Sequence, residues 1–125
     1  MNGAVGKGNK LATDALLNCE KIFEKFSDVN RPAPASLWVF VDEHPDSIND
    51  GSFFNAQKTL EWIDLPGNLH NKACGFAFAD GHAEIHKWRS SMANVKLSFI
   101  SSGRIGVRAD DPDFSWIIER TSYPR

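Results

Sequence analysis

The chain of 125 residues has only two cysteines, no excess of either charge and no long apolar run. Its 14 Lys and Arg against 16 Asp and Glu give a net charge of -2, so no basic surplus indicates a nucleic-acid or anionic-membrane partner. No stretch approaches the roughly 20 apolar residues that span a bilayer, and the polar, glycine-rich segment Met1–Lys10 is not typical of a signal peptide. We therefore expect the chain as given to be soluble, with no nucleic-acid partner.

The two cysteines, Cys19 and Cys74, leave the redox compartment open. They form a disulfide if the compartment is oxidising, or stay as two buried thiols if it is reducing, and their spacing does not decide between these. Ligation of a metal by this pair is disfavoured, since neither residue belongs to a Cys-x-x-Cys motif.

Length and apolar patterning predict one α+β domain over residues 1–125. Apolar residues recur at three- and four-residue steps from Leu11 to Phe26, which predicts an amphipathic helix that covers the sheet. The apolar run at residues 37–42 predicts a central buried strand. Shorter strands are expected at residues 60–65, 95–100 and 105–108. Acidic residues before Phe114 predict a short helix near residues 112–120.

The strongest local signal is Asp80-Gly81 between two apolar runs, which predicts a β-hairpin in an antiparallel sheet. A two-residue type I′ turn at this dipeptide pairs strands at residues 74–79 and 82–88. In that register one face of the hairpin is apolar and directed at the core, with Phe76, Phe78, Ala83 and Ile85. The other face is directed outward, with Ala77, Ala79, His82, Glu84 and His86.

His70, nine further residues and then Asp80-Gly81 resemble the C-terminal "His, nine residues, Asp-Gly" domain of bacterial prepilin-type proteins. The strings at residues 38–51, 82–88 and 116–121 are similar to that family and occur in the same order. The resemblance covers residues 28–122.

The resemblance implies a pseudopilin-like head domain that acts as a structural component of a type II secretion or type IV pilus-like system. It implies an extracytoplasmic location, in the periplasm or at the cell surface, and no enzymatic activity. The implied partners are other pilin-like subunits or secretion-system proteins. Family members reach the membrane through a processed N-terminal helix that this sequence lacks, so we expect a truncated product, a trimmed chain or a soluble offshoot.

Calcium is the first candidate cofactor. The segment 42–50, called the acidic loop below, contains the oxygen ligands that calcium prefers, at Asp42, Glu43, Asp46, Asn49 and Asp50. Their spacing departs from the EF-hand pattern, although the resemblance favours calcium because major pseudopilins bind it in a loop of the head. The alternative is a loop that caps its own backbone through Asx turns.

A second, weaker metal candidate combines His82, Glu84 and His86, whose two-residue steps place nitrogen and oxygen ligands side by side for zinc or another divalent ion. Alternating polar residues on a solvated strand face give the same pattern.

Two further functions remain open at this point. A hydrolase would use His70 as base, Asp80 to orient it and Ser52 or a metal-bound water as nucleophile, but no nucleophile elbow, phosphate loop or zinc-protease helix is present. A carbohydrate-binding module would display tryptophans side by side in solvent, the candidates being Trp38, Trp62, Trp88 and Trp116. We expect instead that His70 folds back beside the turn and hydrogen bonds Asp80 as a structural latch, while Gly81 supplies a positive φ.

Overall fold

The computed structural model describes residues 1–6, 21–55, 58–100 and 104–123, and these residues form an α+β fold. The expected class is therefore confirmed. The described strands are β1 (Trp38–Val41), β2 (Glu61–Trp62), β3 (Ala73–Phe78), β4 (Ala83–Lys87) and β5 (Ile105–Gly106). One α-helix follows in the described part of the chain, α1 (Pro112–Ile118), and single 3-10 turns occupy Phe26–Asp28 and Met92–Asn94.

The strands form two antiparallel sheets, one of order β1-β3-β4 and a smaller pair of β2 and β5. The apolar run at residues 37–42 does form a strand, as predicted, but its central position is wrong because β3 lies between β1 and β4. An irregularity between Trp38 and Phe40 shifts the register of β1 against β3. Trp38 is therefore buried in the core whereas Phe40 is exposed.

The hairpin forms, but its predicted register is wrong by one residue. Ala77 pairs with Ala83 and Phe76 with Glu84, and the N–H of Phe78 donates to the carbonyl of His82 at 2.9 Å. The loop therefore holds Ala79, Asp80 and Gly81 in place of a two-residue turn. Gly81 has φ +94, which confirms the predicted positive φ. Because a shift of one residue turns a strand over, Ala83 and Ile85 face away from the core and His86 faces towards it.

The core lies on one side of the three-stranded sheet and is rich in aromatic side chains that meet edge to face. Trp62 and Phe114 have ring centroids 5.1 Å apart at 88°, and Trp38 and Phe53 are 5.4 Å apart at 89°. Such pairs add about 0.5–1.5 kcal/mol each to the free energy gained by burial. The buried members of this core are Trp38, Phe53, Trp62, Leu65, Cys74, Phe76, Phe78, Trp88, Met92, Phe114 and Ile117.

Helix α1 confirms the prediction of a short helix at residues 112–120, although it ends at Ile118. Asp111 caps its N-terminus by accepting a hydrogen bond from the backbone N–H of Phe114 at 2.9 Å, and Pro112 occupies the first helical position. Phe114 and Ile117 of α1 pack against the sheet, so this helix covers the core face that was expected to lie under the segment from Leu11 to Phe26.

The predicted N-terminal helix is wrong at residues 21–25, which are not helical. Its residues 11–20 lie outside the described residues. Phe23 forms an isolated β-bridge to Val5, and its N–H donates to the carbonyl of Ala4 at 2.8 Å. The backbone of Phe23 therefore bonds to a distant segment and not to a preceding helical turn. Phe23 packs in a second small core with Ala4, Leu37 and Phe54.

The expected edge strand at residues 95–100 is also wrong, because side chains take its backbone groups. Asn68 donates to the carbonyl of Val95 at 2.7 Å, and Asp46 accepts from the N–H of Ser98 at 2.8 Å. The strands expected at residues 60–65 and 105–108 form as the shorter β2 and β5.

Cys74 is a free and buried thiol, and burial raises its pKa. Cys19 lies outside the described residues, so its state is not compared.

Candidate functional site

The face of the three-stranded sheet that points away from the core is apolar and uncovered within the described residues. We call it the outer face and define it by Phe40, Gly75, Ala77, Ala83 and Ile85. Phe40 is 57% exposed and Ile85 is 80% exposed. A depression of 460 Å³ lies on this face and is lined by all five residues. Phe40 of β1 and Ile85 of β4 therefore lie on the same face of one sheet, on either side of β3.

One carboxylate lies at the rim of the outer face. The Oδ2 atom of Asp42 is 3.4 Å from the position that a Cβ atom on Gly75 would occupy. The backbone of Asp42 is fixed by its N–H, which donates to the carbonyl of Gly75 at 3.4 Å, and by its own carbonyl, which accepts from Gly67 at 2.6 Å. The outer face is therefore apolar at its centre and acidic at this edge.

The His70 latch is wrong, because His70 and Asp80 flank opposite ends of β3. The six residues of β3 lie between them, and that strand spans about 20 Å. The side chain of His70 is exposed, and the carbonyl of His70 accepts from Ala73 at 3.1 Å. No hydrogen bond joins His70 to Asp80, both of which belong to the described chain, so the His70–Asp80 arrangement for a hydrolase does not form either.

Asp80 bonds His82 instead. Its Oδ1 atom accepts from the backbone N–H of His82 at 3.1 Å and lies 2.5 Å from the ring Nδ1. The ring of His82 stacks on Phe78 with centroids 4.4 Å apart, and its Nε2 lies 3.4 Å from Glu84. The hydrogen bond that the His82 ring donates to Asp80 raises the pKa of His82 and lowers the pKa of Asp80. These contacts join residues of the hairpin loop to one another and to the adjoining ends of β3 and β4.

The weaker metal candidate is not assembled, since the second histidine is used in packing. His86 stacks on Trp116 with centroids 3.7 Å apart, and burial lowers its pKa. His82 and Glu84 contact one another at the hairpin end, and the guanidinium of Arg120 covers the ring of Trp116 at 4.5 Å.

The acidic loop is held by its own hydrogen bonds and by a distant serine. The buried Asp46 accepts from the N–H of Ser98 at 2.8 Å and from its hydroxyl at 3.0 Å, and the bond to the Ser98 backbone lowers the pKa of Asp46. Asp50 accepts from the N–H of Ser52 at 2.7 Å, which is an Asx turn. Asn49 is exposed. Sequence reasoning missed Ser98, because nothing in the local pattern relates it to Asp46.

Two carboxyl groups, Glu43 within this loop and Asp64 outside it, have raised pKa values. Burial raises the pKa of Glu43 to about 7, although Ser47 donates to it at 2.9 Å. Burial also raises the pKa of Asp64 to about 6, against the hydrogen bond from the N–H of Phe54. Within the described ranges no group of three or more His, Cys, Asp or Glu side chains is arranged to hold a metal ion. Calcium in the acidic loop remains a hypothesis.

The tryptophans do not form a carbohydrate platform. Trp38, Trp62 and Trp88 are at most 2% exposed. Trp116 is half-buried between His86 and Arg120. Because two rings side by side in solvent were required, the carbohydrate-binding hypothesis is wrong for these residues.

Comparison with known proteins adds no relative: no family model, no curated protein and no solved structure matches this chain. The resemblance to prepilin-type proteins therefore depends on the motifs at residues 28–122. Among the described helices, none has the length and apolar character required to cross a membrane.

Proposed function

We propose that this chain is a pilin-like head domain that contributes to an extracytoplasmic assembly of the type II secretion or type IV pilus kind. It acts by binding neighbouring subunits through the outer face and catalyses no reaction. The observation that carries the proposal is the exposure of Phe40 and Ile85 on strands of the same sheet.

The energy available from this surface supports an interaction role. Burying a Phe or Ile side chain contributes about 1.5–3 kcal/mol relative to leaving it in water. Contiguous exposed apolar patches on soluble domains commonly mark interaction sites. Because β3 and β4 are joined by a regular ladder, Ile85 and Ala77 are presented without the entropic cost of ordering a loop.

The motif that carries the family resemblance supports a structural role. His70 lies in the turn before β3, and Asp80-Gly81 lies in the loop after it. The nine intervening residues therefore contain one complete strand together with its entry. Asp80 is used to close the loop on His82, and Gly81 to provide a positive φ. Asp80 and Gly81 therefore have conformational roles in the loop.

The occupant that we propose for the outer face is another pilin-like subunit of the same assembly. The centre of the face requires an apolar counterpart, and the rim carboxylate of Asp42 favours a Lys or Arg beside it. A mixed surface of this kind suits packing between subunits better than insertion into lipid, where a rim carboxylate is costly.

Site-specific photo-crosslinking in the native cells tests this function. A photoreactive amino acid replaces Phe40 on the outer face, and in the control it replaces Arg108, which is exposed beside α1. We expect the Phe40 position to yield an adduct with a subunit that carries a prepilin-type N-terminal segment, and the Arg108 position to yield at least tenfold less. Absence of that adduct, or capture of a soluble enzyme instead, would contradict the proposal.

A further inference from the structure

Strand β4 is an edge of the sheet, and its outer edge has no strand partner in the described chain. Four of its five residues are exposed, and His86 is the half-buried one. An edge strand presents a row of unpaired backbone N–H and C=O groups to any strand that can lie beside it.

The ladder fixes which backbone groups of β4 point outward. The N–H of Phe78 donates to the carbonyl of His82, and at the other end the N–H of Trp88 donates to the carbonyl of Lys72. In an antiparallel pair the hydrogen-bonded positions alternate along each strand. Positions 82, 84, 86 and 88 therefore direct their backbone groups at β3. The outward groups belong to Ala83, Ile85 and Lys87.

We propose that a second copy of this chain pairs its β4 with this β4, antiparallel, about a two-fold axis at Ile85. The two Ile85 residues then exchange backbone hydrogen bonds, and Ala83 exchanges bonds with Lys87 of the second copy. The outward groups of β4 are all paired in this arrangement. A continuous sheet results, of the isologous kind that closes on itself.

The paired backbone groups and the facing side chains select this register. An axis at Ile85 sets Glu84 opposite His86 of the second copy, at positions without backbone bonds where facing side chains are closest. An axis moved by one residue to Glu84 would oppose two glutamates, and an axis at His86 would oppose two histidines. Either shift would also pair one outward residue of β4 with a residue outside the strand, Gly81 or Arg89 of the second copy. An axis at Ala83 would set Glu84 opposite His82, but it would pair Ile85 with Gly81 of the loop. Only the axis at Ile85 pairs Ala83, Ile85 and Lys87 entirely within the two β4 strands.

Pairing also joins the two outer faces. Ile85, which is 80% exposed in one chain, comes beside Ile85 of the second copy on the same side of the joined sheet. Because each β4 is used once, the pairing stops at two chains. An interface of two short strands is smaller than the roughly 800 Å² per partner of a standard complex, so we expect a dissociation constant on the order of micromolar or weaker. This inference does not depend on the proposed function.

Disulfide trapping of the purified chain tests both the pairing and its register. Ile85→Cys places two thiols opposite one another at the axis, where paired Cα atoms about 5.5 Å apart allow a disulfide. Ala83→Cys is the matched control, because it lies on the same strand and face but opposes Lys87 of the second copy. We expect the Ile85→Cys chain to form a linked dimer at least tenfold faster than the Ala83→Cys chain or the parent, which reports on the native cysteines.

Sedimentation equilibrium of the parent gives a second readout, with a monomer–dimer equilibrium that Ile85→Pro abolishes. Proline removes the outward N–H of this position, which takes no part in the ladder to β3, and an edge strand tolerates proline at such a position. Equal trapping at both cysteine positions would overturn the register and with it the proposal, as would a parent that stays monomeric up to about millimolar concentration. Because only the purified chain is used, either result is independent of crosslinking to other subunits in cells.

Discussion

The carboxylate of Asp113 is expected to be a main contributor to stability. Its side chain is buried at 2% exposure and accepts hydrogen bonds from three backbone N–H groups. Oδ1 accepts from Arg89 at 2.8 Å, and Oδ2 accepts from Ser90 at 2.8 Å and from Met92 at 3.1 Å. The carboxylate therefore joins the first turn of α1 to the segment that follows β4.

Asp113→Asn preserves the volume of the side chain and removes this pattern of acceptors. The amide has one oxygen, so its NH₂ group must face at least one backbone N–H. A hydrogen bond to a charged group is worth about 1.5–3 kcal/mol, and leaving a buried donor unsatisfied costs a similar amount. Losing one or two of the three bonds, with partial relaxation of the segment, lowers the free energy of unfolding by about 2–4 kcal/mol. This is a large fraction of the roughly 5–15 kcal/mol typical of a domain.

Asp110→Asn provides the matched control. The side chain of Asp110 is 71% exposed and pairs with Arg108, which is itself 86% exposed. Exposed pairs of this kind contribute roughly 0–1 kcal/mol, so we expect a change below about 0.5 kcal/mol. Urea unfolding followed by tryptophan fluorescence gives both values. If Asp113→Asn were as stable as Asp110→Asn, the hydrogen bonds of Asp113 would contribute nothing net, and the reasoning would be refuted.

Three further predictions concern the hairpin and the acidic loop. Gly81→Ala should lower the free energy of unfolding by about 1 kcal/mol or more, because the φ of Gly81 is +94. The control Gly106→Ala has open space and no positive φ, so its free energy of unfolding should change by less than about 0.5 kcal/mol. Equal denaturation midpoints for the two variants would contradict this prediction. Burial raises the pKa of Glu43 to about 7 from its ordinary value of 4.5, so the folded state is stabilised by the protonated carboxyl below pH 4.5 and loses this stabilisation as pH rises through 7. Glu43→Gln should therefore flatten the dependence of Tm on pH in that window. An unchanged slope would argue against a buried proton on Glu43. We expect millimolar calcium to leave Tm unchanged, since carboxylates of the acidic loop already accept backbone N–H groups. A ligand bound only by the folded state stabilises it by about 2.7 kcal/mol at 100 times the dissociation constant, so a clear rise in Tm would support calcium binding to this loop.

Features with local physical causes could be predicted from the sequence. Helix α1 follows from a capping aspartate and a proline at its first position, both of which act within one turn. The positive φ at Gly81 follows from the chemistry of a tight loop. Strand β1 follows from a short run of aromatic and β-branched residues. In each case the residues that decide the structure are neighbours in the chain.

Features that depend on distant partners could not be predicted in the same way. The sequence makes Asp46 a candidate calcium ligand because oxygen atoms crowd its loop, yet the carboxylate accepts hydrogen bonds from the distant Ser98. The motif predicts His70 beside Asp80, yet a full strand separates the two residues. Phe23 fits a helical period, but a bridge to Val5 fixes its backbone. Periodicity shows which residues share a face of an element. It carries no information on which distant backbone groups will hydrogen bond to that segment.

The loop of the hairpin connects these local and distant effects to function. A two-residue turn would have buried Ile85 and Ala83 and set Glu84 and His86 towards solvent. The observed loop adds one residue, which is accommodated because Ala79 donates to the carbonyl of Leu37 at 2.9 Å and His82 stacks on Phe78. It turns β4 over, moves His86 under Trp116 and leaves Ile85 in solvent. The outer face, and the apolar centre of the proposed β4 pairing, therefore depend on the longer loop, which is held by one contact with Leu37, the residue before β1, and by one stacked ring.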